Sequence, residues 1–222
     1  MRYIVSIMAG RDKVLASRRQ LIAMSLPLVL AARQAAAEAA ADPATVPVTQ
    51  FYAVLLDVMK DGHSLPFPQR YQLLAPAVDA AFDLQGILRI SVGPYWSTLP
   101  PAQQQTLLQV FRSYTIANYV ASFHSDKDRT IVIQPVTRAV GSERVVTTTI
   151  TKRDRDPLRI DYVMREEDAG WKVVDVLLDG TISRVAVQRS DFASLVSAGD
   201  ATPLINSLRS KVSTLSNGSV TA

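Results

Sequence analysis

The sequence predicts an α+β fold, with a helical first half, then an antiparallel sheet of about four strands, then a C-terminal helix. Three observations carry this expectation. Apolar residues recur at three-and-four spacing over most of the first half. After "SDKDR" (125–129) the period drops to two and β-branched residues dominate. The order, helices first and strands after, places the helices together on one face of the sheet.

The elements follow in order. "ADPATVPV" is rich in Pro and Ala and falls within an expected linker at 40–48. "TQFYAVLLDVMKDG" (49–62) brings Phe51, Val54, Leu55, Val58 and Met59 to one helical face, closed by Gly62. Prolines punctuate 63–93, so short helices are expected there, with Tyr71, Leu74, Val78, Phe82 and Ile87 inward. The clearest helix spans 96–125, where Pro101 suits a first turn because its missing N–H costs nothing. Leu107, Leu108, Phe111, Tyr114, Thr115, Asn118, Tyr119 and Ser122 share its broad face, which is less oily than an ordinary core face. Four strands are expected at 130–138, 142–153, 158–167 and 170–180, with turns at Gly141, Asp156–Pro157 and Ala169–Gly170. In the last strand Val173, Val174, Val176, Leu177 and Leu178 put aliphatic groups on both faces. The stretch 181–199 leads into a further helix. In 201–216, Leu204, Ile205, Leu208, Val212 and Leu215 are in helical register, and residues 217–222 are expected to be a disordered tail.

The formal net charge of +4 invites a nucleic-acid or anionic-membrane partner, but its distribution removes the invitation. Six of the 24 basic residues and one of the 20 acidic residues lie before residue 38, so the remainder is near −1. No nucleic-acid partner is expected. The N-terminus has the three parts of an export signal: "SRRQ" (17–20), the apolar "LIAMSLPLVLAA" (21–32), and small residues in "RQAAAEAAA" (33–41) for cleavage after Ala37 or Ala39. Residues 1–39 are therefore expected to be removed on export, with 49–216 forming one domain. "SRRQLI" resembles a twin-arginine motif without its full pattern, so ordinary Sec export is favoured; Met8 is an alternative start. The chain has no cysteine, which excludes disulfides, thiolate catalysis and zinc–cysteine sites.

G-x-S-x-G and phosphate-binding glycine loops are absent, and His63 and His124 have no metal-ligand spacing. Each histidine is expected at a loop or helix end. "REEDAG" (165–170) is expected to be a solvated hairpin turn, and "TKRDRD" (151–156) a mixed-sign surface turn. No metal or cofactor is expected. Asp161 and Asp175 lie inside expected strands with apolar neighbours. A carboxylate held in an apolar cavity can become a base, so a small cavity enzyme of the isomerase or dehydratase kind is the alternative function. Alternation points Asp161 away from Ile160, Tyr162 and Met164, whereas Asp175 shares parity with Trp171 and Val173.

The helical half ending in "YTIANYVASF" (114–123), followed by "DYVMR" (161–165), "GWKVVDVLLDG" (170–180) and "ISRVAVQRSDF" (182–192), resembles the MlaC/toluene-tolerance family of periplasmic lipid-binding proteins. The resemblance covers roughly residues 45–216 and rests on the order and spacing of the segments. "LPFPQRYQLLAP" (65–76), "FDLQGILRISVG" (82–93) and "VLLDGTISRVAVQRSDF" (176–192) are most similar to the hopanoid-associated HpnM branch. The resemblance implies a curved, nuclear-transport-factor-like sheet and helices around a deep apolar cavity. It implies a monomeric periplasmic carrier and not an enzyme. The implied cargo is phospholipid or hopanoid, and the implied partners are an inner-membrane ABC transporter with an MCE component and an outer-membrane lipoprotein complex.

Such a shuttle needs a dry pocket with few charges and no catalytic group. Parity and helical face nominate its lining: Phe82, Ile87, Phe111, Tyr114 and Tyr119 from helices, and Ile150, Tyr162, Met164, Val174 and Val176 from strands. Tyrosine suits the mouth, since its ring packs on chains while its hydroxyl meets a headgroup. Arg184 and Arg189 are candidates for headgroup or partner contact. A purely structural envelope adaptor, the remaining possibility, would lack a cavity and carry a large exposed apolar patch.

Overall fold

A computed structural model of the chain describes residues 42–60, 64–123, 129–153 and 155–222. The expected export signal, His63 and His124 lie outside the described residues.

Helices come first, as their periodicity predicts. Asp42 accepts the Ala44 N–H at 2.9 Å and opens a short 3-10 turn, Pro43–Thr45. Helix α1, Val46–Lys60, follows directly, so much of the expected linker is structured. Pro43 and Pro47 stand where a helix begins and an absent N–H is no loss. Helix α2 spans Phe67–Ala81 and carries Pro76 inside it, so one long helix stands where short ones were expected. Helix α3 is Leu84–Val92, capped by Asp83, whose carboxylate accepts the Gly86 N–H at 2.8 Å. A Cβ at residue 86 would lie 1.9 Å from Asp83 Oδ2, so any larger residue there must push the capping carboxylate aside. The helix stops at Gly93, whose φ of 73° favours glycine. A 3-10 segment, Gly93–Thr98, then leads to helix α4, Pro101–Ser122.

The expected first strand is two strands. Strand β1, Arg129–Ile133, and strand β2, Arg138–Val140, both pair antiparallel with strand β3, Glu143–Lys152. Pro135 lies in the interruption, where it has no ladder N–H to give. Strands β4, Leu158–Glu167, and β5, Gly170–Leu178, continue the meander, and the short β6, Ile182–Ser183, closes the order β1-β3-β4-β5-β6. Helix α5, Arg184–Phe192, starts at once from β6, and helix α6, Thr202–Leu215, follows. Residues 217–222 fold back on α6 instead of forming a loose tail. Gly218 N–H donates to Ser213 O at 2.7 Å, and Arg209 Nε donates to Ala222 O at 3.0 Å.

Register assigns the faces. Ile131, Ile150 and Leu158 are partners, as are Thr148, Ile160 and Leu178, and Val146, Tyr162 and Val176. These rows form the inner face, because opposed residues share a face. On the outer face Thr147, Asp161 and Leu177 align. Alternation breaks once in β5. Val163 opposes Asp175 and Met164 opposes Val173, leaving Val174 as an extra, bulged residue. Helices α1 to α4 cover part of the inner face through Phe51, Leu55, Met59, Leu74, Val78, Leu88 and Val120, all nearly or fully buried. Helix α6 packs on α4, and α5 packs on α3 and β5.

Candidate functional site

Part of the inner face is left uncovered, and there the helices and sheet bound a cavity of about 650 Å³. That size suits an organic ligand. Helix α4 forms one wall through Phe111, Tyr114, Thr115, Asn118, Tyr119 and Ser122, continued by Phe123. This is the half-polar face of the 96–125 pattern. The opposite wall is the sheet, through Ile150, Leu158, Val176 and Leu178. Phe82, Leu84 and Ile87 close one side, and Val185 and Gln188 of α5 another. Arg129, Lys152, Arg155 and Asp156 border it at the ends of β1, β3 and β4. Tyr114 and Asn118 also border a smaller hollow of about 250 Å³ against α6, with Lys211 Nζ 5.7 Å from the Tyr114 ring centroid.

A tyrosine cluster lies behind the cavity. The Tyr52 and Tyr162 hydroxyls are 2.8 Å apart, and Tyr52 also meets Thr148 Oγ1 at 3.3 Å. Thr148 in turn donates to Ile160 O at 3.0 Å. The Tyr119 hydroxyl is electrostatically coupled to those of Tyr52 and Tyr162, and Tyr119 also lines the cavity. Burial pushes all three phenols above the ordinary tyrosine range. For Tyr119 the nearby charge of Arg184 pulls the other way. Rings from α1, α2 and α4 knit this region together, with Phe51 and Tyr119 centroids 4.9 Å apart and Phe51 and Phe82 5.3 Å apart.

The structure brings seven of the ten nominated apolar residues to the cavity: Phe82, Ile87, Phe111, Tyr114, Tyr119, Ile150 and Val176. Three do not line it. Tyr162 has the right face but lies behind Tyr119 and Phe82, its hydroxyl used by Tyr52. Met164 also has the right face, but it opposes Val173 further along the sheet and is fully buried in the core. Val174 is the bulged residue, so even parity with Val176 does not carry across it. Of the two arginines, Arg184 lines the cavity. Arg189 instead packs by Gly93, where its Nε would lie 3.6 Å from a Cβ.

Leu84, Phe123, Arg129, Val185 and Gln188 line the cavity without having been nominated, and two further groups were missed. Leu158 and Leu178 extend the parity of Ile150 and Val176 and were findable from it. Lys152, Arg155 and Asp156 belong to the turn expected to be mere surface; it does reach the cavity edge, with both signs of charge.

Neither aspartate is placed as a base. Asp161 is buried on the outer face, where Arg159 Nε and Nη2 donate to it at 2.9 and 2.7 Å. Burial pushes its carboxyl up, but the Arg159 and Thr147 hydrogen bonds and the charges of Arg159 and Arg138 outweigh that and hold it below the usual range. Asp175 borders the cavity although the bulge takes it out of the face of Val173 and pairs it with the outer residue Val163, and its oxygens are committed elsewhere. Oδ1 accepts from Val176 N at 2.7 Å and Val185 N at 3.1 Å, and Oδ2 accepts from Ser183 Oγ. It secures the start of α5. Among the described residues, no group of three His, Cys, Asp or Glu could hold a metal ion, and no helix is long and apolar enough to cross a membrane.

The MlaC protein family profile matches residues 50–210, most of the chain and all of the cavity wall. A solved structure with a similar fold is a phospholipid-binding protein from Ralstonia solanacearum, in complex with a phospholipid. The two are 24% identical with a TM-score of 0.67, and the match covers 78% of this chain and 98% of that one. Among curated protein sequences none matches significantly.

Proposed function

The chain belongs to the MlaC family, and from that premise we propose that it is a periplasmic lipid carrier that holds acyl chains in its cavity and leaves the headgroup toward solvent. The observation that carries this reading is the cavity itself, about 650 Å³ and walled mainly by Phe82, Leu84, Ile87, Phe111, Ile150, Val176 and Leu178. Lipid chains need such a wall, because each methylene left in water costs about 0.8 kcal/mol. A carrier makes no bond, which suits a cavity in which Asp175, a carboxylate on its border, is occupied by three donors. The phospholipid held by the Ralstonia solanacearum protein, of similar fold, supports the same ligand class.

In this reading residues 1–39 direct export and are removed. The carrier moves lipid between an outer-membrane lipoprotein complex and an inner-membrane ABC transporter with an MCE component. The likeness of 65–76, 82–93 and 176–192 to the HpnM branch adds a hopanoid as an alternative cargo. The test is native mass spectrometry of protein purified from periplasm, followed by lipid extraction. The expected result is a stoichiometric adduct whose extract contains phospholipid or hopanoid. Protein that repeatedly has the mass of the bare polypeptide, and takes up no lipid from vesicles, would sink the proposal.

A further inference from the structure

The cavity is small for a lipid with two chains. An apolar cavity of about 150 Å³ holds one benzene, roughly 25 Å³ for each carbon. On that scale the 650 Å³ here take roughly 26 carbons. One ordinary acyl chain of about 16 carbons fits with space to spare, whereas two bring about 32 and do not fit. The hollow of about 250 Å³ beyond Tyr114 is no annex for a second chain, because Asn118, Ser210, Lys211 and Thr214 border it.

A plug of rings limits the space. The inner face of the sheet continues past Val176 to Tyr162, Met164 and Val173, where a longer cavity would run. All three are nearly or fully buried, and so are Phe51, Tyr52 and Phe82. The Phe51 ring lies 5.3 Å from that of Phe82 and 4.9 Å from that of Tyr119, and the Tyr52 and Tyr162 rings are 5.9 Å apart. Hydrogen bonds fix this packing. The Tyr52 hydroxyl meets that of Tyr162 at 2.8 Å and Thr148 Oγ1 at 3.3 Å, and Thr148 donates its own proton to Ile160 O. A chain that pushed these rings aside would leave buried hydroxyls unpaired, so the plug does not yield to a ligand. Phe82 stands where plug and cavity meet: it lines the space, and its ring packs against Phe51, Tyr119 and Tyr162.

We infer that the ring plug makes this protein a carrier of one acyl chain at a time, which selects a lysophospholipid or a free fatty acid over lipids with two chains. The inference rests on the carrier reading and narrows it. A two-chain lipid would leave part of its second chain in water at the mouth, and each methylene so exposed weakens binding about fourfold.

In the test, delipidated protein meets palmitoyl lysophosphatidylglycerol and dipalmitoylphosphatidylglycerol in equal amounts in the same vesicles, and its adducts are read by native mass spectrometry. The headgroups are alike, so chain number is what differs. A parallel run replaces the lysolipid by palmitate. Wild-type protein is expected to take up a single one-chain lipid and to favour it by about tenfold or more in at least one run, the effect of two methylenes left in water. The larger preference of the two runs identifies the source of the chain. Phe82→Ala opens the plug toward Phe51 and Tyr162 and is expected to bring the ratio near one. Phe82→Leu, a milder truncation that guards against a variant that does not fold, should shift the ratio the same way. Two one-chain lipids on one wild-type molecule, or equal or better binding of dipalmitoylphosphatidylglycerol in both runs, would overturn the inference. So would a folded Phe82 variant that keeps the full wild-type preference. Wild-type protein that binds none of the three lipids would overturn the carrier reading as well.

Discussion

Asp161 is a carboxylate with no solvent exposure that stays charged because its partners reach it from the outer face. Its folded pKa is depressed, so its contribution to stability is present above the unfolded value and is lost as pH falls through the folded one. Asp161→Asn should therefore destabilise the protein by about 1–2 kcal/mol at neutral pH, moderated because Arg159 is half exposed. The gap to wild type should shrink in acid, as chemical denaturation at neutral and low pH would show. Individual side chains were legible in the sequence where type and pattern agreed. Asp161 was assigned to the outer face by alternation alone, and Tyr119 by its place on a mixed helical face. Tyr162 was not. Period two gives its direction but not its depth, and the hydroxyl of Tyr52 from a helix 110 residues earlier decides that depth.

Among the elements, α3 depends on one small residue. The Asp83 cap occupies the space above Gly86. Gly86→Ala would displace that carboxylate, and a lost cap costs about 0.5–2 kcal/mol, enough to offset the roughly 1 kcal/mol that alanine's better helix propensity returns. Thermal unfolding of the variant should therefore show no rise in midpoint, although alanine for glycine inside an exposed helix ordinarily raises it. Periodicity located α1, α4 and α6 and the meander of β3, β4 and β5, but expected short helices where α2 runs for fifteen residues. It failed where backbone chemistry intervenes. Proline divides the first strand, and the Val174 bulge interrupts alternation within the strand that walls the cavity. Nothing in a run of consecutive valines and leucines marks which one is extra. The same count placed both Val174 and Val176 inward, and the bulge leaves only Val176 at the cavity.

At the scale of the folded molecule, the described residues keep an open space between helices and sheet instead of closing it with side chains. That space is a functional choice if chains occupy it, because close packing would otherwise stabilise the fold. Val176→Phe would fill part of the cavity from the sheet side. The expected outcome is a folded protein, destabilised by less than about 3 kcal/mol, whose lipid occupancy on purification falls sharply. Unchanged occupancy by lipid extraction would show that chains do not pass Val176. The architecture was readable from the order of periodicities, since helices then strands leave few alternatives. The cavity was not, because a strand apolar on both faces is equally consistent with solid packing.

The cavity wall also determines which chromophores can sense its contents. The chain has two tryptophans, Trp96 in the 3-10 segment before α4 and Trp171 at the start of β5, and neither borders the space. Tyr114 and Tyr119 do. Selective tryptophan excitation should therefore be nearly silent to lipid entry, while the near-ultraviolet circular dichroism of tyrosine should change with it. A strong tryptophan response on loading would mean that the ligand rearranges the far end of the sheet, beyond the residues that touch it.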